Sequence, residues 1–190
     1  MSDIIVTNRK TAILGMGATG VSVASFLASR DMPFDFSDSR NEPPNIDLIK
    51  ANHPQAEVSL GAFDADYLCR YDRLIVSPGI SLDEPVLVKA KAQGVELLGD
   101  FELFLEQAQA PVIAITGSNG KSTVTALLGK MAEDSGISVG IGGNIGTPML
   151  DLLDESHTLY VIEVSSFQLE LLNDARGAIS CLLNISPDHL

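Results

Sequence analysis

The chain has 190 residues, 45% of them hydrophobic, enough to bury one generous core or two modest ones and too many for an intrinsically disordered chain. Twelve basic against twenty-five acidic residues leave a formal charge of −13, a field that repels nucleic-acid backbones and anionic membrane surfaces, so neither is expected as a partner. No apolar run approaches the roughly 20 residues of a membrane span and residues 1–10 lack the apolar core of a signal peptide, so a cytoplasmic location is expected.

Short β-rich runs alternate with helix-length segments, the order of a doubly wound α/β fold with parallel sheets. In a first unit the predicted strands are Thr11–Leu14, Pro33–Ser37, Glu57–Leu60, Arg73–Ser77 and Glu96–Leu98, with helices near Thr19–Ser29, Ile46–Ala51 and Pro85–Gln93. Gly15-Met16-Gly17-Ala18-Thr19-Gly20 stands directly after the first strand, and Asp38 follows Gly20 by eighteen residues, just past the second. Glycines there allow backbone to approach a pyrophosphate, and an acid at that distance suits a ribose hydroxyl. Asp38-Ser39-Arg40 adds a cation beside the acid, and Ser77-Pro78-Gly79 closes the fourth strand at the same sheet edge. These positions fit a nucleotide diphosphate carried by a larger molecule as well as they fit NAD, and a glycine pair that merely packs a helix is the plain alternative. Cys69 and Cys181 lie in apolar surroundings without metal-ligand spacing and read as buried thiols, with neither zinc nor a disulfide expected.

The amphipathic segment Phe101–Gln107 leads into a second unit, with the boundary between Leu98 and Pro111 and the domains divided as 1–98 and 99–190. Its predicted strands are Val112–Thr116, Ser138–Ile141, Leu159–Val164 and Ala178–Asn184, and a helical pattern runs from Val124 to Ala132. Between the first strand and that helix stands Thr116-Gly117-Ser118-Asn119-Gly120-Lys121-Ser122-Thr123. A buried strand that stops at two glycines and restarts as a helix aims backbone N–H groups and a positive helix end at one spot, which suits phosphate. Lys121 supplies a mobile charge for terminal phosphates, and the hydroxyl of Ser122 or Thr123 suits the magnesium that accompanies a nucleotide. The longer pattern G-x-x-x-x-G-K-[ST] requires Gly at position 115, where this chain has Ile115, so the loop is a shortened form in which Gly117 makes the tight turn. ATP is the expected ligand, held by Gly117, Ser118, Asn119, Gly120, Lys121, Ser122 and Thr123.

Three more polar clusters end strands of this unit: Gly142–Gly146, Glu163 with Ser165–Gln168, and Asn184–His189. Parallel strands share a direction, so all three converge on the edge of the phosphate loop. Glu163 there is a candidate magnesium ligand, since hard cations take carboxylate oxygen, or else a strand-end acid facing water. His189 is a candidate contact to a second metal ion or a substrate phosphate, or else a solvated histidine.

The segments TGSNGKST (Thr116–Thr123), GGNIG (Gly142–Gly146), EVSSFQLE (Glu163–Glu170) and NISPDH (Asn184–His189), with GMGATG and SPGI in the first unit, resemble the Mur ligases of bacterial cell-wall synthesis. Within that family SSFQLE and TGSNGKST are most similar to the D-glutamate-adding branch. The resemblance implies a Rossmann-like N-terminal domain followed by the first part of a P-loop-type α/β ATPase central domain. It implies that the first unit cradles the uridine diphosphate of a sugar-peptide substrate, UDP-N-acetylmuramoyl-L-alanine, through Ala18, Thr19, Asp38, Ser39, Arg40 and Gly79. In the second, Lys121 and its neighbours would hold ATP phosphates, Ser122 and Glu163 one Mg2+, and Asn144, Ser165 and His189 would lie toward substrate, His189 also on a second Mg2+. The implied catalytic set is Lys121, Glu163 and His189. The implied reaction is ATP-driven amide formation: a carboxylate attacks the γ-phosphate, an acyl phosphate forms, and the amine of D-glutamate displaces phosphate. The family's further central-domain and C-terminal parts are not found in the 190 residues, which predicts an N-terminal fragment that at most binds the UDP-sugar, and ATP only weakly, does not ligate by itself and exposes or repacks apolar surface. The rival readings are an NAD-dependent oxidoreductase, which leaves Thr116–Thr123 without a role, and a non-catalytic nucleotide-binding module.

Overall fold

Apolar runs closed by glycine or polar turns become nine parallel strands in the computed structural model, which describes residues 9–174 and 178–186. The chain divides into two units, Met1–Leu98 and Gly99–Leu190.

In the first unit the order is β1 (Thr11–Leu14), α1 (Ala18–Ala28), β2 (Asp35–Asp38), α2 (Ile46–Asn52), β3 (Val58–Leu60), α3 (Ala65–Leu68), β4 (Arg73–Val76), α4 (Pro85–Ala92) and β5 (Glu96–Leu98). The sheet runs β3-β2-β1-β4-β5, all parallel. Its central strand β1 is buried along its whole length, which is why it reads as an unbroken run rather than an alternating one. Leu14 stands opposite both Ser37 and Val76, so the chain leaves β1, β2 and β4 at one level of one edge. Strand order reverses between β1 and β4, the crevice in which such sheets bind ligands. Helix α3 has four residues, too few to show a helical period. It is set by the Asp64 carboxylate, which accepts from the N–H groups of Asp66 (2.8 Å) and Tyr67 (3.4 Å).

In the second unit the order is α5 (Asp100–Gln107), β6 (Val112–Thr116), α6 (Lys121–Asp134), β7 (Val139–Gly143), a 3-10 turn Met149–Leu152, β8 (Leu159–Glu163), α7 (Ser166–Glu170) and β9 (Ala178–Leu182). The parallel sheet runs β7-β8-β6-β9. Its core joins Phe101 and Phe104 of α5, Val112 and Ile115 of β6, Tyr160–Ile162 of β8 and Met149 and Leu150 of the 3-10 turn, with the Phe104 and Tyr160 rings edge to face at 5.2 Å. Strand β9 lies at the sheet edge and exposes Ile179 and Leu182, and α6 exposes Leu127 and Met131.

Several element ends differ from expectation by one to three residues: β2 starts at Asp35 and includes Asp38 as its last residue rather than leaving it just past the strand, and β7 runs on to Gly143. Two of the differences have physical reasons at the second sheet's edge. Helix α6 begins at Lys121 rather than Val124, because its first turn is made of the polar loop residues themselves. Strand β9 ends at Leu182 rather than Asn184, because the Asn184 carbonyl leaves the ladder to accept the Ser118 N–H at 3.1 Å. Cys69 and Cys181 are free thiols, but half-buried rather than buried as expected. Among the described residues no helix is long and apolar enough to cross a membrane.

Candidate functional site

At the carboxyl edge of the first sheet the glycine turn is held from both sides. The Met16 N–H donates to Asp38 Oδ2 at 2.7 Å, and the Met16 carbonyl accepts from Asn45 Nδ2 at 2.8 Å. A Cβ on Gly20 would overlap the Gly15 carbonyl, so only glycine lets α1 start this close to the end of β1. Ala18 is exposed and Thr19 half-buried on the first turn of α1, and Gly79 is exposed in the turn after β4. Ser39 lines an open cavity of about 560 Å³ with Phe63, Val86 and Lys89.

Asp38, the last residue of β2, is 2% exposed and accepts four bonds. Beside Met16 these come from Arg40, whose N–H and Nε reach Oδ1 at 2.9 and 2.8 Å and whose Nη2 reaches Oδ2 at 2.7 Å. Burial alone pushes this carboxyl up, but the donors from Arg40 and Met16 outweigh it and hold it below its ordinary range. A carboxylate offers about four lone-pair sites, so Asp38 is saturated. What faces outward is the half-exposed Arg40 guanidinium, aimed by that carboxylate.

In the second unit Gly117 (φ 144°) and Gly120 (φ 86°) both adopt the backbone region that side chains disfavour, and they bend the chain from β6 into α6. No side chain caps α6 among the described residues, which leaves its first-turn amides facing outward. Lys121 Nζ folds back onto the loop, donating to the carbonyls of Gly117 at 2.7 Å and Ser118 at 3.3 Å. Ser122 and Thr123 are exposed on the opening turn, beside the exposed Asn119. The loop therefore presents amides, an ammonium group and two hydroxyls at one helix start, a combination that binds phosphate.

Glu163 ends β8 directly beside β6, in register with Ile115 and Gly143. Its side chain is buried; Oε1 accepts from Asn144 Nδ2 at 3.0 Å, and Oε2 has no hydrogen-bond partner among the described residues. A buried carboxylate oxygen without a donor is costly unless a cation completes it, so the chemistry fits Mg2+. Among the described residues no group of three or more His, Cys, Asp or Glu side chains stands ready for a metal. A cation here would rely on Glu163, a hydroxyl such as Ser122, and oxygens brought by the nucleotide. His189 lies outside the described residues.

Ser165 caps α7. Its Oγ accepts the Gln168 N–H at 3.2 Å, while Gln168 Oε1 accepts the Ser165 N–H at 3.0 Å. Gln168 Nε2 donates to Asp100 Oδ2 at 2.9 Å, tying the start of α5 to that of α7. Burial pushes the Asp100 carboxyl up, against the hydrogen bonds from Gln168 and the Phe101 N–H. Sequence reasoning singled out Ser165 but neither Asp100 nor the clamp on Asn119 made by Asn184, although the S-x-x-Q spacing of a capping box was visible.

Residues 9–99 match the model of the Mur ligase MurD-like N-terminal domain, and residues 115–190 match that of the Mur ligase middle domain. The UDP-N-acetylmuramoylalanine--D-glutamate ligase of Pseudomonas savastanoi pv. phaseolicola is 50% identical over 188 residues, 99% of this chain and 42% of that protein. The enzyme of the same name from Marinobacter nauticus is 47% identical over the same shares of each chain. The chain thus spans about two fifths of the length of these relatives. The crystal structure of UDP-N-acetylmuramate:L-alanyl-gamma-D-glutamyl-meso-diaminopimelate ligase from Neisseria meningitides superposes with a TM-score of 0.55 at 18% identity, covering 95% of this chain and 62% of that one, a likeness of fold. With its glycine-turn unit and its phosphate-loop unit each matched by a separate domain model of the same enzymes, the chain belongs to the Mur ligase family.

Proposed function

We propose that this chain forms the nucleotide-sugar-binding unit and the ATP-binding unit of a D-glutamate-adding Mur ligase. In the full protein the terminal carboxylate of UDP-N-acetylmuramoyl-L-alanine would be activated by ATP as an acyl phosphate and captured by the amine of D-glutamate. The observation that carries the reading is the Gly117–Thr123 loop, set on the strand next to a buried Glu163 with one oxygen that has no hydrogen-bond partner among the described residues. The relatives that share about half its residues bear the name of that ligase.

Two anions must meet in this reaction, so fixed positive charge has to be present before they approach. Lys121 would leave the Gly117 and Ser118 carbonyls for the β- and γ-phosphates, over the amides of the first turn of α6. Glu163 and Ser122 would hold Mg2+, which when bound neutralises charge between the phosphates. Asn144 would keep Glu163 turned toward that cation, and Ser165 and His189 would lie on the substrate side. In the first unit Arg40, Ser39, Ala18, Thr19 and Gly79 would contact the uridine diphosphate. Asp38 would act by aiming Arg40 and pinning the turn, since its lone pairs are already taken. The same saturation argues against a ribose acceptor of the kind an NAD site uses.

Titration of the 190-residue chain with Mg·ATP tests the reading, with binding expected for the natural sequence and a loss of at least tenfold in Lys121→Ala. UDP-N-acetylmuramoyl-L-alanine should raise the melting temperature where NADH does not, by about 2.7 kcal/mol of stabilisation at a hundred times its Kd. Equal Mg·ATP binding by both chains would overturn the ATP assignment.

A further inference from the structure

We infer that Asn184 is a positioning residue of the phosphate loop: its side chain clamps the peptide of Asn119 and so decides which loop amides are left for phosphate. The inference rests on the ATP reading of that loop. The Asn119 N–H donates to Asn184 Oδ1 at 2.9 Å, and Asn184 Nδ2 donates to the Asn119 carbonyl at 2.8 Å. One side-chain amide thus pairs with both groups of one backbone residue, 65 positions away. The Asn184 carbonyl also takes the Ser118 N–H at 3.1 Å. Two residues further out, the Ser186 N–H donates to Ser118 Oγ at 2.9 Å, and that hydroxyl donates to the Ser186 carbonyl at 3.1 Å.

The pairing continues the β6–β9 ladder past its last rung. Thr116 lies opposite Leu182 in register, and the Leu183 N–H reaches the Thr116 carbonyl at 3.0 Å. Beyond it the regular ladder ends at Gly117, where the two backbones run so close that a Cβ would press on the Asn184 backbone at 3.2 Å; the Asn184 carbonyl takes the Ser118 N–H, and its side chain stands in as the partner of the Asn119 backbone. The amides of Ser118 and Asn119 are thereby committed to the strand-end segment. An anion is left with the amides that open α6, next to Lys121. The asparagine supplies one donor and one acceptor with no charge, so it shapes the loop without repelling a triphosphate.

The test uses the 190-residue chain and two readouts. The first is residue-resolved amide exchange with no nucleotide present. The Asn119 N–H should be protected in the natural sequence, should exchange at least tenfold faster in Asn184→Ala, and should slow further when Mg·ATP is added to the natural sequence. The second is the Kd for Mg·ATP, expected to weaken about tenfold in Asn184→Ala while amides of β6 and β8 keep their protection. Unchanged affinity in Asn184→Ala would overturn the inference and leave the ATP reading standing, provided Lys121→Ala still loses binding. Equal affinity in the natural chain and Lys121→Ala would remove the reading and the inference together. If Asn184→Ala does not fold, the natural chain alone decides: an unprotected Asn119 N–H, or one indifferent to Mg·ATP, refutes the clamp.

Discussion

Removing the Asp38 carboxylate is the most direct probe of how the first unit shapes its ligand edge. In Asp38→Ala the Met16 N–H, in a fully buried residue, loses its acceptor, and an unpaired buried donor costs about 1–3 kcal/mol. Arg40 loses its partner too, but its side chain is 52% exposed and returns to water, adding only about 0–1 kcal/mol. The sum is roughly 1–4 kcal/mol, and each kcal/mol is equivalent to about 4–8 °C in melting temperature for a domain of this size. Urea unfolding followed by tyrosine emission measures it, because the chain has no Trp and the first unit carries Tyr67 and Tyr71. Arg40→Ala is the control and should cost no more than about 1 kcal/mol. The carboxyl is held below its ordinary range when folded, so its stabilisation is present above the unfolded value near pH 3.9 and is lost as pH falls through the lower folded value. Asp38→Ala should therefore flatten the acid limb of the stability profile. A loss below about 0.5 kcal/mol, or an Arg40→Ala loss as large as that of Asp38→Ala, would refute the pin.

Glu163→Gln keeps the acceptor for Asn144 but discards a buried charge, so stability should hold or rise while Mg2+ ceases to improve ATP affinity; a magnesium titration at fixed ATP reads this directly. Gly143 has φ 110° and a Cβ there would overlap the Glu163 carbonyl, so Gly143→Ala should cost at least about 2 kcal/mol in denaturant unfolding, against a near-neutral Gly79→Ala, whose Cβ meets open space. Asp100 has its folded pKa raised by burial, so its contribution is most favourable below the unfolded value near pH 3.9 and is lost as pH rises through the folded one. The stability of Asp100→Asn relative to the natural chain should accordingly grow with pH across that window, as unfolding midpoints at a series of pH values will show.

Sequence patterning revealed those features in which one residue's own chemistry is the signal. Strands β1, β5 and β6 have the predicted ends because each is an apolar run bounded by a change of chemistry. The Gly-Lys-Ser loop was legible as a strand-to-helix turn because Gly117 and Gly120 hold backbone angles, φ 144° and 86°, that side chains disfavour. Features that depend on a backbone partner left no such trace. Asp38 reads as a ligand acid until the Met16 N–H, 22 residues earlier, is found beneath it. Asn184 reads as a loop asparagine until the Asn119 peptide is found across from it. Helices α3 and α7, of four and five residues, are specified by caps rather than by an apolar period, so periodicity passes over them.

The two units solve the same mechanical problem with different charges. Each has a glycine turn leaving the strand whose neighbour ends at about the same level, and in each a polar side chain at or just past the end of that neighbour grips the turn's backbone: Asp38, the last residue of β2, on Met16, and Asn184, after β9, on Asn119. A carboxylate accepts more strongly than an amide, and in the first unit it serves both the Met16 N–H and the outward-facing Arg40. If the second loop binds a triphosphate as proposed, a carboxylate in place of the Asn184 amide would compete with it for the Lys121 ammonium, whereas the uncharged amide also supplies the donor for the Asn119 carbonyl. Exchanging the chemistries distinguishes these roles. Asp38→Asn should lower stability and leave Mg·ATP binding intact, whereas Asn184→Asp should weaken Mg·ATP binding more than it lowers stability. The opposite pattern would mean that charge at these two strand ends was not chosen by the ligand.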